Sequence, residues 1–240
     1  MGRLSESREI DLSMLYYVKD VVLPFGGWVS EKNRAPLSRI GTSRIYSSGI
    51  KWWTYSSQAT YPVHVYDGVS EIPDNKYVID YLNGRVTIDV TYSISSQISA
   101  TFSYDTAHVH DSWDSAVDDS ASPVVFIDFM TSRVTPLCLG KSKMVKRDYR
   151  IDIRSTDEEI CQSIADSVEQ GFDFVLPIID FSSAMPLKSD GTKNPSFDLS
   201  SQLISNYSFA NVSNSKVRVP EGGYVRNVFV TVVNDRFYGN

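Results

Sequence analysis

The residues in this chain whose types and spacing best suit metal chemistry are His108-Val109-His110, with Asp105 and Asp111 beside them. Histidines two apart on a strand project from the same face, which suits Zn or Ni. A structural zinc wants four ligands. No Cys-x-x-Cys, no His-Glu-x-x-His and no third spaced ligand accompanies the pair. The expectation is therefore a strand end with solvated histidines and no metal. His64 is the remaining histidine.

Nucleophilic chemistry has as little support. Serine is abundant, yet no Gly-x-Ser-x-Gly elbow occurs. Cys138 and Cys161 lie in apolar periodic segments, where a packed thiol is a better reading than a nucleophile. Two cysteines also make no disulfide framework, so both are expected reduced. Asp118-Asp119 reads as a solvated linker rather than an acid/base pair. Gly26-Gly27 and Gly222-Gly223 lack the Lys-Ser/Thr sequel of a phosphate loop. Trp52, Trp53 and Tyr55 could stack on a sugar or a base, or serve as core or protein interface. The expectation is a chain that is not an enzyme and takes no cofactor.

The elements that would position these residues are mostly strands. The chain has 240 residues and 27.0 kDa, 42% hydrophobic and 22% charged, an ordinary balance for a folded chain with a real core. Its net charge of −6 argues against nucleic acid as the main partner. No apolar run is long enough to span a membrane, and MGRLSESREIDLS lacks a secretion signal's apolar stretch. A helix is expected over Ile10–Val22, ended by Pro24 and Gly26-Gly27. Residues 26–60 read as a long loop with short strands. KYVIDYLNGRVTID then spells a hairpin, with Asn83-Gly84 as a type I′ turn. A third strand, with Ile98, Ala100, Phe102 and Tyr104 on one face, would complete a meander, with 61–66 in the same sheet.

Residues 105–122 are polar and acidic and mark a boundary. Beyond it, SPVVFIDFM, VTPLCLG and RDYRIDIR read as three strands, the last with Tyr149, Ile151 and Ile153 inward. Thr156 to Glu159 reads as a capping box opening a helix whose stripe is Ile160, Ile164 and Val168. Gly171 stands where a left-handed C-cap belongs. FDFVLPIIDFS is a strand pair or one bent strand, 183–215 is loop-like with a turn at 188–191, and Tyr224–Val233 is a strand. The fold class is α+β and β-rich: an antiparallel sheet covered by a helix, with an additional β-meander domain or insertion. The domains would be an N-terminal helix (1–25), a β-rich insertion (26–116) and an α+β core (117–240).

Residues 123–171 resemble the core of tailed-bacteriophage tail terminator proteins: a Pro-led apolar strand, a strand ending in Gly, a charged loop, an RDYRIDI-like strand and a capped amphipathic helix. IPDNKYVIDYLNGRVTID resembles a phrase common in phage neck and tail proteins. The resemblance implies a virion protein of the neck, made in the host cytoplasm. It would cap the tail tube as a ring, commonly of six copies, and join it to the head connector. Its partners would be the tail tube protein, stopper or adaptor proteins and the tail sheath, with no membrane partner and with genome DNA passing through without specific binding. Inter-subunit contacts would fall on the long loops 26–60 and 183–215. Trp52, Trp53, Tyr55, Arg34, Arg39 and Arg44 are the residues assigned to them. The alternatives are another neck or baseplate component, or a carbohydrate-binding β-domain using Trp52, Trp53 and Tyr55.

Overall fold

The structure is a computed structural model of the chain, and it describes residues 6–55, 62–111, 123–136, 143–217 and 223–236. Cys138 and Asp118-Asp119 lie outside the described residues. In chain order the elements are α1 (Glu6–Tyr17), a π-helical turn (Val18–Val22), α2 (Leu23–Phe25), β1 (Val29–Pro36), β2 (Ser38–Arg39), β3 (Ile45–Ser47), β4 (His64–Asp67), β5 (Ser70–Glu71), β6 (Tyr77–Asp80), β7 (Arg85–Ile88), β8 (Ile98–Asp105) and β9 (His108–Asp111). They continue with β10 (Val124–Pro136), β11 (Lys143–Ser155), α3 (Glu158–Gly171), β12 (Val175–Ile179), α4 (Leu199–Gln202), β13 (Leu203–Val217) and β14 (Tyr224–Arg236). Among the described residues strands hold 49% and helices 20%, which makes the fold a β-rich α+β one. It divides into two compact units, residues 1–28, 107–182 and 199–240 in the first, and 29–106 with 183–198 in the second.

The first unit is a six-stranded sheet in the order β12-β13-β14-β11-β10-β9, antiparallel except for the β9–β10 pair. Strict alternation in β11 sends Tyr149, Ile151 and Ile153 to one face, where all three are buried. Val230 and Val228 of β14 pair with Tyr149 and Ile151, and Val232 lies on the same face opposite Arg147; α1, the π-helical turn and α3 cover them with Met14, Val18, Cys161, Ile164 and Val168. Each apolar side chain of this size contributes about 1.5–3 kcal/mol when fully buried, so this layer dominates the unit's stability.

Several local expectations are corrected. The first helix starts at Glu6 and passes into π geometry at Val18–Val22. Pro24 explains the change, because its ring crowds the carbonyl four residues earlier and the preceding turn opens. The cap of α3 is Asp157, not Thr156: its Oδ1 accepts from the backbone N–H of Glu159 at 2.8 Å and of Ile160 at 3.4 Å. Gly171 is the last helical residue, and the C-cap is Phe172 at φ −84°. Glycine is needed there for contact, since a Cβ would lie 2.5 Å from a Val22 methyl. VTPLCLG does not form a separate strand. Its first three residues continue β10, a single strand from Val124 to Pro136, and the rest lies outside the described residues. Residues 203–215 form most of β13 rather than a loop. Their Ser/Asn-rich sequence hides a strand because few side chains on either face are buried.

The second unit holds two four-stranded sheets, β1-β8-β4-β5 and β2-β3-β7-β6. The expected meander is therefore split. β8 pairs with β1 and β4, not with the β6–β7 hairpin. Alternation alone cannot choose between neighbours that offer the same apolar face. The hairpin itself is as expected, but Asp80 pairs with Arg85, so its loop spans four residues. Asn83 does not adopt positive φ; Gly84 does, at +60°. Asp80 opens the loop by accepting from the backbone N–H and side-chain amide of Asn83, at 3.1 and 2.7 Å. Of the expected loop with short strands, residues 26–55 supply the eight-residue β1 and the short β2 and β3.

Candidate functional site

The six interaction residues expected from sequence all fall in the second unit, and its own structure engages all of them. Trp53 is 1% exposed and stacks on Phe102, with ring centroids 3.9 Å apart and planes at 12°. It is core, so Trp52, Trp53 and Tyr55 do not form an open three-ring platform. Tyr55 is half-buried, edge-on to Tyr81 at 6.1 Å. Trp52 is half-buried and held at φ +60°. Its N–H donates to the Leu82 carbonyl at 3.1 Å, and its own carbonyl accepts from the Asp105 N–H at 3.0 Å. The segment thereby ties the two sheets together. Arg39 donates to the carbonyls of Ser43 and Thr42 at 2.6 and 2.8 Å. Arg44 donates to the carbonyls of Ile88, at 3.3 Å, and Tyr92. Arg34, exposed on a bulge of β1 at φ +47°, lies over the Tyr66 ring at 4.3 Å.

His108 and His110 sit on β9, paired in register with Val124 and Phe126. No group of three possible metal ligands occurs among the described residues. Burial lowers the His108 pKa, helped by His110 and Lys19. Cys161 is a buried thiol on α3, its Sγ 3.3 Å from the Ile153 carbonyl oxygen, and burial raises its pKa. A neutral thiol held this way is a packing group. No described helix is long and apolar enough to cross a membrane.

The surface with unfulfilled bonding capacity is in the first unit. β9 pairs only with Val124–Ile127 of β10. The outer edge of β10 from Asp128 to Pro136, nine residues, has no strand partner among the described residues. At the other side of the sheet, β12 pairs with β13 only between Leu203 and Ser208. The outer edge from Phe209 to Val217, again nine residues, is likewise without a strand partner. Met130, Val134 and Val212 are exposed along these edges. Both β10 and β13 carry a bulge: Met130 is the extra residue of β10, and Asn211 with Val212 oppose Val230 alone. Because Tyr149 pairs with Val230, the two bulges flank one row, and bulges increase twist and bend a sheet.

The second unit manages its edges differently. β1 is broken by a bulge between Lys32 and Ala35 and ends on Pro36, while β5 and β2 are two residues long. Such devices block strand addition. The first unit, by contrast, keeps two nine-residue strand edges without a strand partner among the described residues.

The sheet face opposite the helices is charged but paired. Arg150 NH2 donates to Asp128 at 2.6 Å, and its Nε lies 3.0 Å from Asp152. Arg133 reaches Asp148 at 2.9 Å, and the Thr231 hydroxyl donates to the same carboxylate at 2.7 Å. Arg154 lies over Phe126 at 4.8 Å. Burial raises the Asp152 pKa; Arg150 opposes the rise, and Asp128 adds to it. Sequence reading missed this surface, since β13 carries no apolar alternation. The one legible signal was the charge alternation of RDYRIDIR.

No protein-family model matches the chain, and no curated protein matches it by sequence.

Proposed function

We propose that the protein is a structural component of a tailed-phage neck, a ring that caps the tail tube and joins it to the head connector. The observation that carries the assembly part is a sheet closed by helices on one face and, among the described residues, without a strand partner along nine residues at each side. The neck assignment rests on the resemblance of residues 123–171. Of that pattern the structure has the apolar strand after Pro123, the RDYRIDI strand and an N-capped helix on the same sheet, while VTPLCLG forms no separate strand. A ring subunit needs complementary contacts on its two sides. Its partners are further copies of itself, the tube protein and stopper or adaptor proteins, and its place is the virion. Genome DNA passes without being gripped, in keeping with the net charge of −6 and with arginines already paired on the open face.

The test is light scattering with negative-stain imaging of the purified protein, followed by antibody-gold labelling of virions. Closed rings and label at the head–tail junction support the reading. Label at the baseplate would move the protein to the tail's other end. Virions without label would overturn the virion assignment.

A further inference from the structure

We propose that copies of this chain join by adding the β13 edge of one to the β10 edge of the next, Asp128–Pro136 against Phe209–Val217. This rests on the assembly part of the reading above and not on the virion assignment.

The first argument is direction. β13, β14, β11 and β10 are antiparallel at every step. Head-to-tail repetition therefore brings β13 of the next copy beside β10 in antiparallel sense, the commoner and slightly more stable pairing. One contact type satisfies both bare edges of every copy.

The second argument is register. Side chains opposite one another must share a face. Asp128 belongs to the charge-paired face through Arg150, and Val217 belongs to it through Val225 and Arg154. Setting Asp128 opposite Val217 places Phe129 opposite Lys216, with Met130 bulged. Thr131, Ser132 and Arg133 then oppose Ser215, Asn214 and Ser213. The Asn211–Val212 bulge opposes Val134, and Pro136 meets Phe209. The two bulges compensate, so faces match from end to end over the full nine residues. Asn214, whose buried side-chain oxygen has no partner among the described residues, then stands opposite a hydroxyl donor.

The third argument is stagger. Within one copy, Val217 is level with Val124, through Val225 and Arg154. Level addition is blocked, because β9 already occupies Val124–Ile127. The next copy must slide four residues along the strands, to Asp128. Each copy contributes four strands to the wall, so shear and strand number are equal. That ratio gives a strand tilt of about 36° in eight-stranded barrels, within the tilt that closed barrels adopt. β9 of one copy and β12 of the next act as end stops.

The test uses intermolecular disulfides in a Cys138→Ser background. Paired strand residues have Cα atoms about 4.5–5.5 Å apart, inside disulfide range. Thr131→Cys with Ser215→Cys is expected to give, on mild oxidation at high concentration, a ladder of covalent multimers ending in one closed species. Thr131→Cys with Asn206→Cys, which lies under β12, should stay monomeric on a denaturing gel. Circular dichroism confirms that each variant is folded. A folded Thr131→Cys/Ser215→Cys protein with no covalent multimers overturns the proposal. So do dimers formed equally well by Thr131→Cys alone, which would indicate two-fold β10–β10 pairing. Rings of the parent protein with the cysteine pair unlinked would refute this interface and leave the ring reading standing. Monomers at every concentration, with no linkage, would refute both.

Discussion

Arg147 is 4% exposed and sits on the helix-covered face of the sheet, one of the most buried charges in the molecule. Its guanidinium donates to Asp11 at 2.7 Å and to the Ser7 hydroxyl at 2.7 Å, both on α1. It also lies 3.3 Å from the Tyr149 hydroxyl and over the Phe129 ring at 4.1 Å. Asp11 accepts in addition from the Tyr149 hydroxyl at 2.7 Å, and its side chain is 26% exposed. The two partners are therefore not equivalent. Asp11→Ala strands a buried cation, which costs about 3–5 kcal/mol, nearer the lower end because water reaches this site. Arg147→Met keeps the stem on Phe129 and leaves Asp11 its tyrosine donor and water, a loss of about 1–2 kcal/mol. The double variant should be more stable than Asp11→Ala alone, since an apolar replacement for a buried pair is often close to neutral. The assay is native-state hydrogen exchange of the amides of Tyr149–Ile153 in the centre of β11, whose slowest exchange reports global opening of the first unit. Equal losses for the two single variants, with an additive double variant, would refute the reasoning.

Gly84→Ala should unfold the second unit or destabilise it by well over 1 kcal/mol: the position has φ +60°, and a Cβ would lie 1.7 Å from the Ile50 carbonyl oxygen. Loss of Trp53 fluorescence shielding would read this, and an unshifted unfolding midpoint would contradict it. Trp53→Ala is expected to cost about 3–5 kcal/mol as a large core deletion. Trp52→Gly should cost less than Trp53→Ala, because relief of its positive φ offsets part of the half-buried ring's lost packing; comparing their urea midpoints checks the pair. Asp67 accepts from the Ser95 and Ser96 N–H groups at 2.7 and 2.6 Å and from the Ser95 hydroxyl at 2.9 Å. Burial raises its pKa, but these bonds together outweigh burial and bring it below the ordinary 3.8. Its stabilisation is thus fully present above pH 3.8 and fades as pH falls through the lower folded value. Asp67→Asn should flatten the acid limb of the second unit's stability curve, and a limb as steep as the parent's would rule out this origin.

How much of this was legible in the chain depends on range. RDYRIDIR announced both faces of β11 by alternation, and the buried stripe of α3 followed from Cys161, Ile164, Ala165 and Val168 at helical spacing. The strand pair of the 76–89 hairpin was equally plain. These signals are local, because a period of 2 or 3.6 is set by backbone geometry within one segment. Tertiary contact decided the rest. Thr156 and Asp157 are both competent caps, and only the approach of the chain from β11 selected Asp157. Gly171 looked like a helix terminator and is instead the seat of Val22, 149 positions away in sequence. β8 could pair with any strand offering an apolar face, and the choice of β1 and β4 belongs to the packed unit. β13 is a strand because β14 and β12 supply its hydrogen bonds, while its own Ser/Asn composition states no preference. The bare edges follow the same logic. Whether a strand edge is covered depends on how far its neighbours reach, and the lengths of β9 and β12 become informative only once they are placed beside β10 and β13.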